Sequence, residues 1–139
     1  MQIELIEIPG VSEEWEMEHK IRAVAINGRS DVLSFLWEVA KSKGKKGKSK
    51  AWMAMRLIAE NASPPREPHV KKCKGIDEDI YEMRQNNYRI FFFYSEDGQA
   101  IAVCTNRYQK GKGNDRKAQN EAIKKAAKLR ILCREYLKI

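Results

Sequence analysis

From Asp31 onward the apolar positions Val32, Phe35, Leu36, Val39 and Ala40 recur every three or four residues, which places them on one side of a helix running to about Lys43. Ser30 or Asp31 stands where an N-cap belongs. A second helix follows: Ala51, Met55, Ile58 and Ala62 share a face, Ser49 is positioned to cap it, and Ser63-Pro64-Pro65 ends it. The intervening residues 41–50 hold six lysines and two glycines, a composition that predicts the loop of a helical hairpin. Residues 63–75 read as an irregular, proline-containing connection.

Beyond them the period changes from helical to alternating. Residues 76–84, 88–94 and 100–108 are β-type runs, separated by the turn candidates Asn86-Asn87 and Asp97-Gly98, so an antiparallel meander is predicted. The middle run, Tyr88-Arg-Ile-Phe-Phe-Phe-Tyr94, is apolar on both sides near its end, as befits a central strand. Residues 2–8 form a further strand closed by Pro9-Gly10, and residues 24–26 are positioned to add another before Asn27-Gly28. After the Gly-Lys-Gly-Asn loop at 111–114, Ala118, Ala122, Ala126, Leu129, Cys133 and Tyr136 trace one stripe of a last helix, with Lys117, Lys124 and Lys128 on another face. The expected architecture is α+β: a helical hairpin and a C-terminal helix covering one side of a small antiparallel sheet. At 139 residues it is one domain, with 1–30 an acidic extension of unassigned packing.

Strand alternation then sorts the side chains. With a two-residue turn at Asn86-Asn87, Arg84 lies opposite Arg89 and Glu82 opposite Phe91. With another at Asp97-Gly98, Arg89 faces Asn106, and one face carries Glu82, Arg84, Arg89, Asn106 and Tyr108 toward Lys110. Tyr81, Met83, Ile90, Phe92, Ile101 and Val103 take the other, and a slip of one residue brings Arg107 onto the polar face in place of Asn106 and Tyr108. Two arginines opposite each other call for an anion or a carboxylate between them. Glu82 is that carboxylate if the face is merely solvated; a phosphate is the alternative. Phe91, Phe92 and Phe93 belong to the core, as do Trp15, Trp37 and Trp52, and Cys104 is read as a buried thiol.

Charge sharpens the choice. Residues 1–40 hold 3 Lys and Arg against 8 Asp and Glu, net −5, whereas the remaining 99 hold 24 against 11, net +13. A polyanion is therefore the leading class of partner. The lysines of the hairpin, Lys45, Lys46 and Lys48 among them, add non-specific affinity for phosphate even as a solvated loop. The longest wholly apolar runs, 90–94 among them, are five residues, and Glu4 and Glu7 stand where a signal peptide carries cations, so neither a membrane nor export is expected and the cytoplasm is the default location. Three cysteines without CxxC spacing and two isolated histidines suggest neither a disulfide framework nor a metal site, and no cofactor is expected.

The run Asp79-Ile-Tyr-Glu-Met-Arg-Gln-Asn-Asn-Tyr-Arg-Ile-Phe-Phe-Phe-Tyr94, followed by a short turn, an apolar strand, a basic tail and a Lys-rich helix, resembles the RelE/ParE toxin superfamily, in particular its phage-derived HigB-like branch. The likeness covers residues 31–139 in element order and about 76–112 in motif. It implies a RelE-like fold and the toxin of a type II toxin–antitoxin pair, which cleaves mRNA in the ribosomal A site and is held inactive by a cognate antitoxin. In RNA-cleaving members the arginine of the Tyr-Arg pair meets the scissile phosphate, which implies Arg89 here; the preceding strand's arginine corresponds to Arg84, and the basic tail to Arg107, Tyr108, Lys110 and Lys112.

Cleavage by a neighbouring 2′-hydroxyl needs a base, cations to stabilise the phosphorane, and an acid for the leaving 5′-oxygen. Arg84 and Arg89 suit the cationic role, Glu82 that of base or of an orienting partner for an arginine, and Tyr108 or Lys110 that of acid. Related toxins often carry a histidine near the end of the last strand, where this chain has Thr105-Asn106-Arg107-Tyr108. A non-catalytic nucleic-acid-binding protein of the same fold, and a gyrase-directed toxin, are the alternative functions.

Overall fold

The computed structural model describes residues 1–11, 14–42, 44–61, 70–85, 87–111 and 115–139, with the side chains of 42, 44–50 and 85 outside that set. Its elements run β1 (Ile3–Glu7), β2 (Lys20–Ile26), α1 (Asp31–Ser42), α2 (Gly44–Glu60), β3 (Val70–Lys72), β4 (Tyr81–Gln85), β5 (Tyr88–Tyr94), β6 (Ile101–Gln109) and α3 (Arg116–Leu137). The strands make one sheet in the order β1-β2-β6-β5-β4-β3. The fold is α+β, and the expected meander is its β4-β5-β6 half. β2 lies parallel to β6, however, so the sheet is mixed and not purely antiparallel.

The helices also divide between the two faces. The α1–α2 hairpin packs Val32, Phe35, Leu36, Met55 and Ile58 against Ile90, Phe92, Ala102 and Cys104. α3 covers the opposite face, packing Ala126, Leu129 and Cys133 with Phe91, Phe93, Ile101 and Val103. The one-sided arrangement is thereby corrected, for a physical reason already visible in β5. Four consecutive buried residues, Ile90 to Phe93, alternate between faces, and each face then needs an apolar cover. Tyr136 and Ala118, predicted on the buried stripe of α3, are exposed at its ends.

Other differences are local. The lysine-rich segment predicted as a loop is helical from Gly44, so Ser49 lies inside α2 and caps nothing. Tertiary packing of Ala51, Met55 and Ile58 anchors the helix, and the lysine-rich turns continue it toward the N-terminal side of that anchor. The run 76–84 forms a strand only from Tyr81, and β3 arises within the segment read as irregular, pairing Val70 with Met83 and Lys71 with Glu82. Trp37, assigned to packing, is 73% exposed on α1. Ala62 and the prolines at 64 and 65 lie outside the described residues.

The acidic beginning of the chain is part of the sheet. β1 and β2 pair antiparallel from Ile3↔Ile26 to Glu7↔Arg22. Their connection is fastened to α2 where Trp52 Nε1 donates to the Pro9 carbonyl over 2.7 Å. Gly10 has φ +92°, and a Cβ there overlaps the Trp52 indole. Gly98 has φ +80° with open space around it. Gly10→Ala is therefore expected to destabilise by about 2–4 kcal/mol, combining backbone strain with a clash, and Gly98→Ala by about 1 kcal/mol from strain alone. Urea denaturation of the two variants measures the difference.

Candidate nucleic-acid interface

The β4–β5 register places Arg84 directly opposite Arg89, and Glu82 opposite Phe91, as alternation predicted. The next hairpin differs. Ser95 N donates to Ile101 O, so the loop around Asp97-Gly98 is longer than two residues, and Tyr94 pairs with Ala102. A second irregularity falls between Ile90 and Phe92, after which Arg89 pairs with Tyr108 and Ile90 with Arg107. This bulge decides which side chains share a face. Before it, Ile101 and Val103 turn toward α3, not toward the hairpin face predicted for them. After it, Asn106 and Tyr108 lie on the α3 side with Glu82, Arg84 and Arg89. Asn106 Nδ2 donates to the Ala122 carbonyl of α3, and the Tyr108 hydroxyl to that of Asp115.

Glu82 organises this face. It is 3% exposed. Arg84 Nε and Nη2 both donate to its Oε1, at 2.9 and 2.8 Å, and Gln119 of α3 donates to Oε2 at 3.3 Å. The carboxylate foreseen between the two arginines is thus bound side-on by one of them. Arg89 Nη1 donates to its neighbour's carbonyl, that of Tyr88. Burial pushes the Arg89 guanidinium below the usual arginine range, with the charge of Glu82 opposing that shift and that of Arg84 adding to it. For Tyr108, burial comes first and the contact with Asp115 second; both raise its hydroxyl above the ordinary tyrosine value.

The other nominated residues do not gather here. Arg107 points to the opposite face, where its backbone N–H donates to Asp31 Oδ2 at 2.9 Å, its Nε lies 3.8 Å from Oδ1, and its guanidinium sits over Phe35. Lys110 is exposed just past β6, its N–H held by the Asn87 carbonyl. Lys112 lies outside the described residues, and Lys45, Lys46 and Lys48 belong to α2 with side chains outside them. Among the described residues no cluster of His, Cys, Asp or Glu suits a metal, and no helix is long and apolar enough to cross a membrane.

Beside Glu82 and Arg84 opens a groove of about 290 Å³, walled by β3 and β4 on one side and the first two turns of α3 on the other. Its cations are Lys71, Lys72, Lys74, Arg84 and Arg116; Gln119 and Asn120 add amides, Cys73 and Ile123 apolar surface. Sequence reasoning misses Lys71, Lys72, Lys74 and Arg116 because a three-residue β3 shows too little alternation to read as a strand and because the expected one-sided packing places α3 on the hairpin face. The one signal was the Lys71-Lys72-Cys73-Lys74 run itself, with lysines spaced as on an edge strand.

The family model for the phage derived protein Gp49-like family (DUF891) matches residues 41–130. The chain belongs to this family. The Gp49-like match spans α2, all of β3–β6 and most of α3, and so includes every groove residue and the Arg84–Arg89 pair, leaving β1, β2 and nearly all of α1 outside. No curated protein matches the chain.

Burial raises the three thiols, Cys73 and Cys104 to about 12 and Cys133 to about 11. Their contribution to stability is full below the ordinary thiol value of 9.0 and falls as pH rises toward about 12, because only the unfolded chain ionises them readily. The urea midpoint is expected to fall between pH 8 and pH 10. A thiol reagent at pH 8 is expected to label the folded protein slowly, and all three cysteines in urea.

Proposed function

We propose that this Gp49-like protein is the toxin of a type II toxin–antitoxin pair, and that it cleaves mRNA on the ribosome at the face bounded by Arg84, Arg89 and α3. The observation that carries the reading is the cross-strand arginine pair beside a groove rich in cations. Two guanidiniums held opposite each other are unfavourable alone and favourable around a phosphate. The family's phage-derived description and the resemblance to RelE/ParE toxins support the same direction.

In the proposed reaction the 2′-oxygen attacks the adjacent phosphorus, the bond from phosphorus to the 5′-oxygen breaks, and a 2′,3′-cyclic phosphate and a 5′-hydroxyl result. Arg84 and Arg89 stabilise the charge that builds on the phosphoryl oxygens. Glu82 first serves to orient Arg84. Its Oε2, which among the described residues accepts the longer bond from Gln119, is the atom available to take the 2′-hydroxyl proton once substrate displaces that amide. Lys110, exposed at the end of β6, is better placed than the buried Tyr108 to protonate the leaving oxygen.

The engagement of Glu82 by Arg84 and Gln119, and of Tyr108 by Asp115, favours one second reading: a nucleic-acid-binding protein that has lost the chemistry. Purified protein added to a bacterial translation extract separates the two. Primer extension is expected to show cuts at ribosome-occupied codons, reduced about 100- to 1,000-fold by Arg89→Ala and comparably by Arg84→Ala. Intact mRNA with folded protein selects the binding reading, and damaged gyrase function without mRNA cleavage selects the gyrase-directed one.

A further inference from the structure

The groove holds more positive charge than its own acids neutralise. Among the described side chains, Glu82 is committed to Arg84 and Gln119, and Asp79 reaches only Lys72, at 2.9 Å. The first turn of α3 has no acidic residue and begins Arg116-Lys117, although a helix start favours anions. Asp115, at the N-cap position, makes no side-chain cap; its carboxylate accepts from the Gly111 N–H instead. Lys71 and Lys74 therefore add positive charge to a cleft that Arg84 and Arg116 also line, a setting that favours an anion.

The rest of the lining narrows what that anion is. A cleft of about 290 Å³ has room for one nucleotide and suits a single strand whose bases are splayed out. Its polar wall offers the amides of Gln119 and Asn120, suited to a base edge or a ribose hydroxyl, and its apolar wall offers Ile123 and the uncharged Cys73 thiol to a base face. We propose that this groove binds one nucleotide of single-stranded RNA next to the phosphate held by Arg84 and Arg89. Lys71, Lys74 and Arg116 meet its phosphate oxygens, and Gln119 and Asn120 read its base or ribose. This subsite rests on the reading of the arginine pair as a phosphate clamp, and it adds the residues that position the adjoining strand.

The test is equilibrium binding of a single-stranded 2′-O-methyl RNA, which has no free 2′-hydroxyl and is not cleaved by that route, to the full chain by fluorescence anisotropy at several salt concentrations. Neutralising two phosphate contacts with Lys71→Gln and Lys74→Gln together is expected to lower the slope of log affinity against log salt by about 1.4. The duplex form of the same RNA is expected to bind more weakly, with a slope the two substitutions leave unchanged. An unchanged single-strand slope in a double variant that keeps its circular dichroism and urea midpoint overturns the subsite. Should the double variant unfold, Lys74→Gln alone, at an exposed position, is expected to lower the slope by about 0.7, and no change overturns the proposal. The nuclease reading fails separately: absent mRNA cleavage with an altered slope removes the chemistry and leaves the subsite, whereas cleavage with an unaltered slope removes the subsite alone.

Discussion

The buried carboxylate of Glu82 is the constraint on which the candidate site depends. A carboxylate taken out of water is costly unless its oxygens are filled, and here Arg84 fills one and Gln119 the other. The first bond fixes the angle at which Arg84 leaves the sheet, opposite Arg89. The second ties β4 to α3 and so sets one wall of the cationic groove. Loss of the carboxylate removes the charge that offsets the repulsion between Arg84 and Arg89, which is why a single acidic residue organises a basic surface.

The β6 bulge is the complementary device. A strand with uninterrupted alternation either buries Ile101 and Val103 under α3 or presents Asn106 and Tyr108 there, but not both. One extra residue after Cys104 reconciles the two: apolar residues pack the lower half of the α3 face, polar ones the upper half beside Arg84 and Arg89. Arg107 is sent to the far side, where Asp31 and Phe35 hold it as a structural residue joining β6 to α1. The same arginine that family likeness associates with the basic tail thus stitches the hairpin to the sheet.

Much of this was legible beforehand, and the limits have physical causes. The α1 periodicity, the limits of β5 and the Arg84–Arg89 pairing follow from spacing and a short turn, both local properties. The faces of β6 were legible only in part, because loop length and the bulge each shift register by a residue; the two shifts cancel for Asn106 and Tyr108 and not for Ile101 and Val103. β3 is three residues long and has too little alternation to register as a strand. With it went Lys71, Lys72 and Lys74, and hence the groove. The helical start of α2 defied composition because packing farther along the helix outweighs the poor propensity of glycine.

The central claim is that RNA meets this protein on the α3 side of the sheet, at the arginine pair and its groove. Photocrosslinking of a single-stranded RNA carrying 4-thiouridine, followed by mass spectrometry of the adducts, tests it most directly. The account predicts adducts on peptides containing Lys71 to Lys74, Arg84 to Arg89 and Arg116 to Ile123. Adducts confined to the lysine-rich start of α2, or to the α1 face around Trp37 and Arg107, would contradict it.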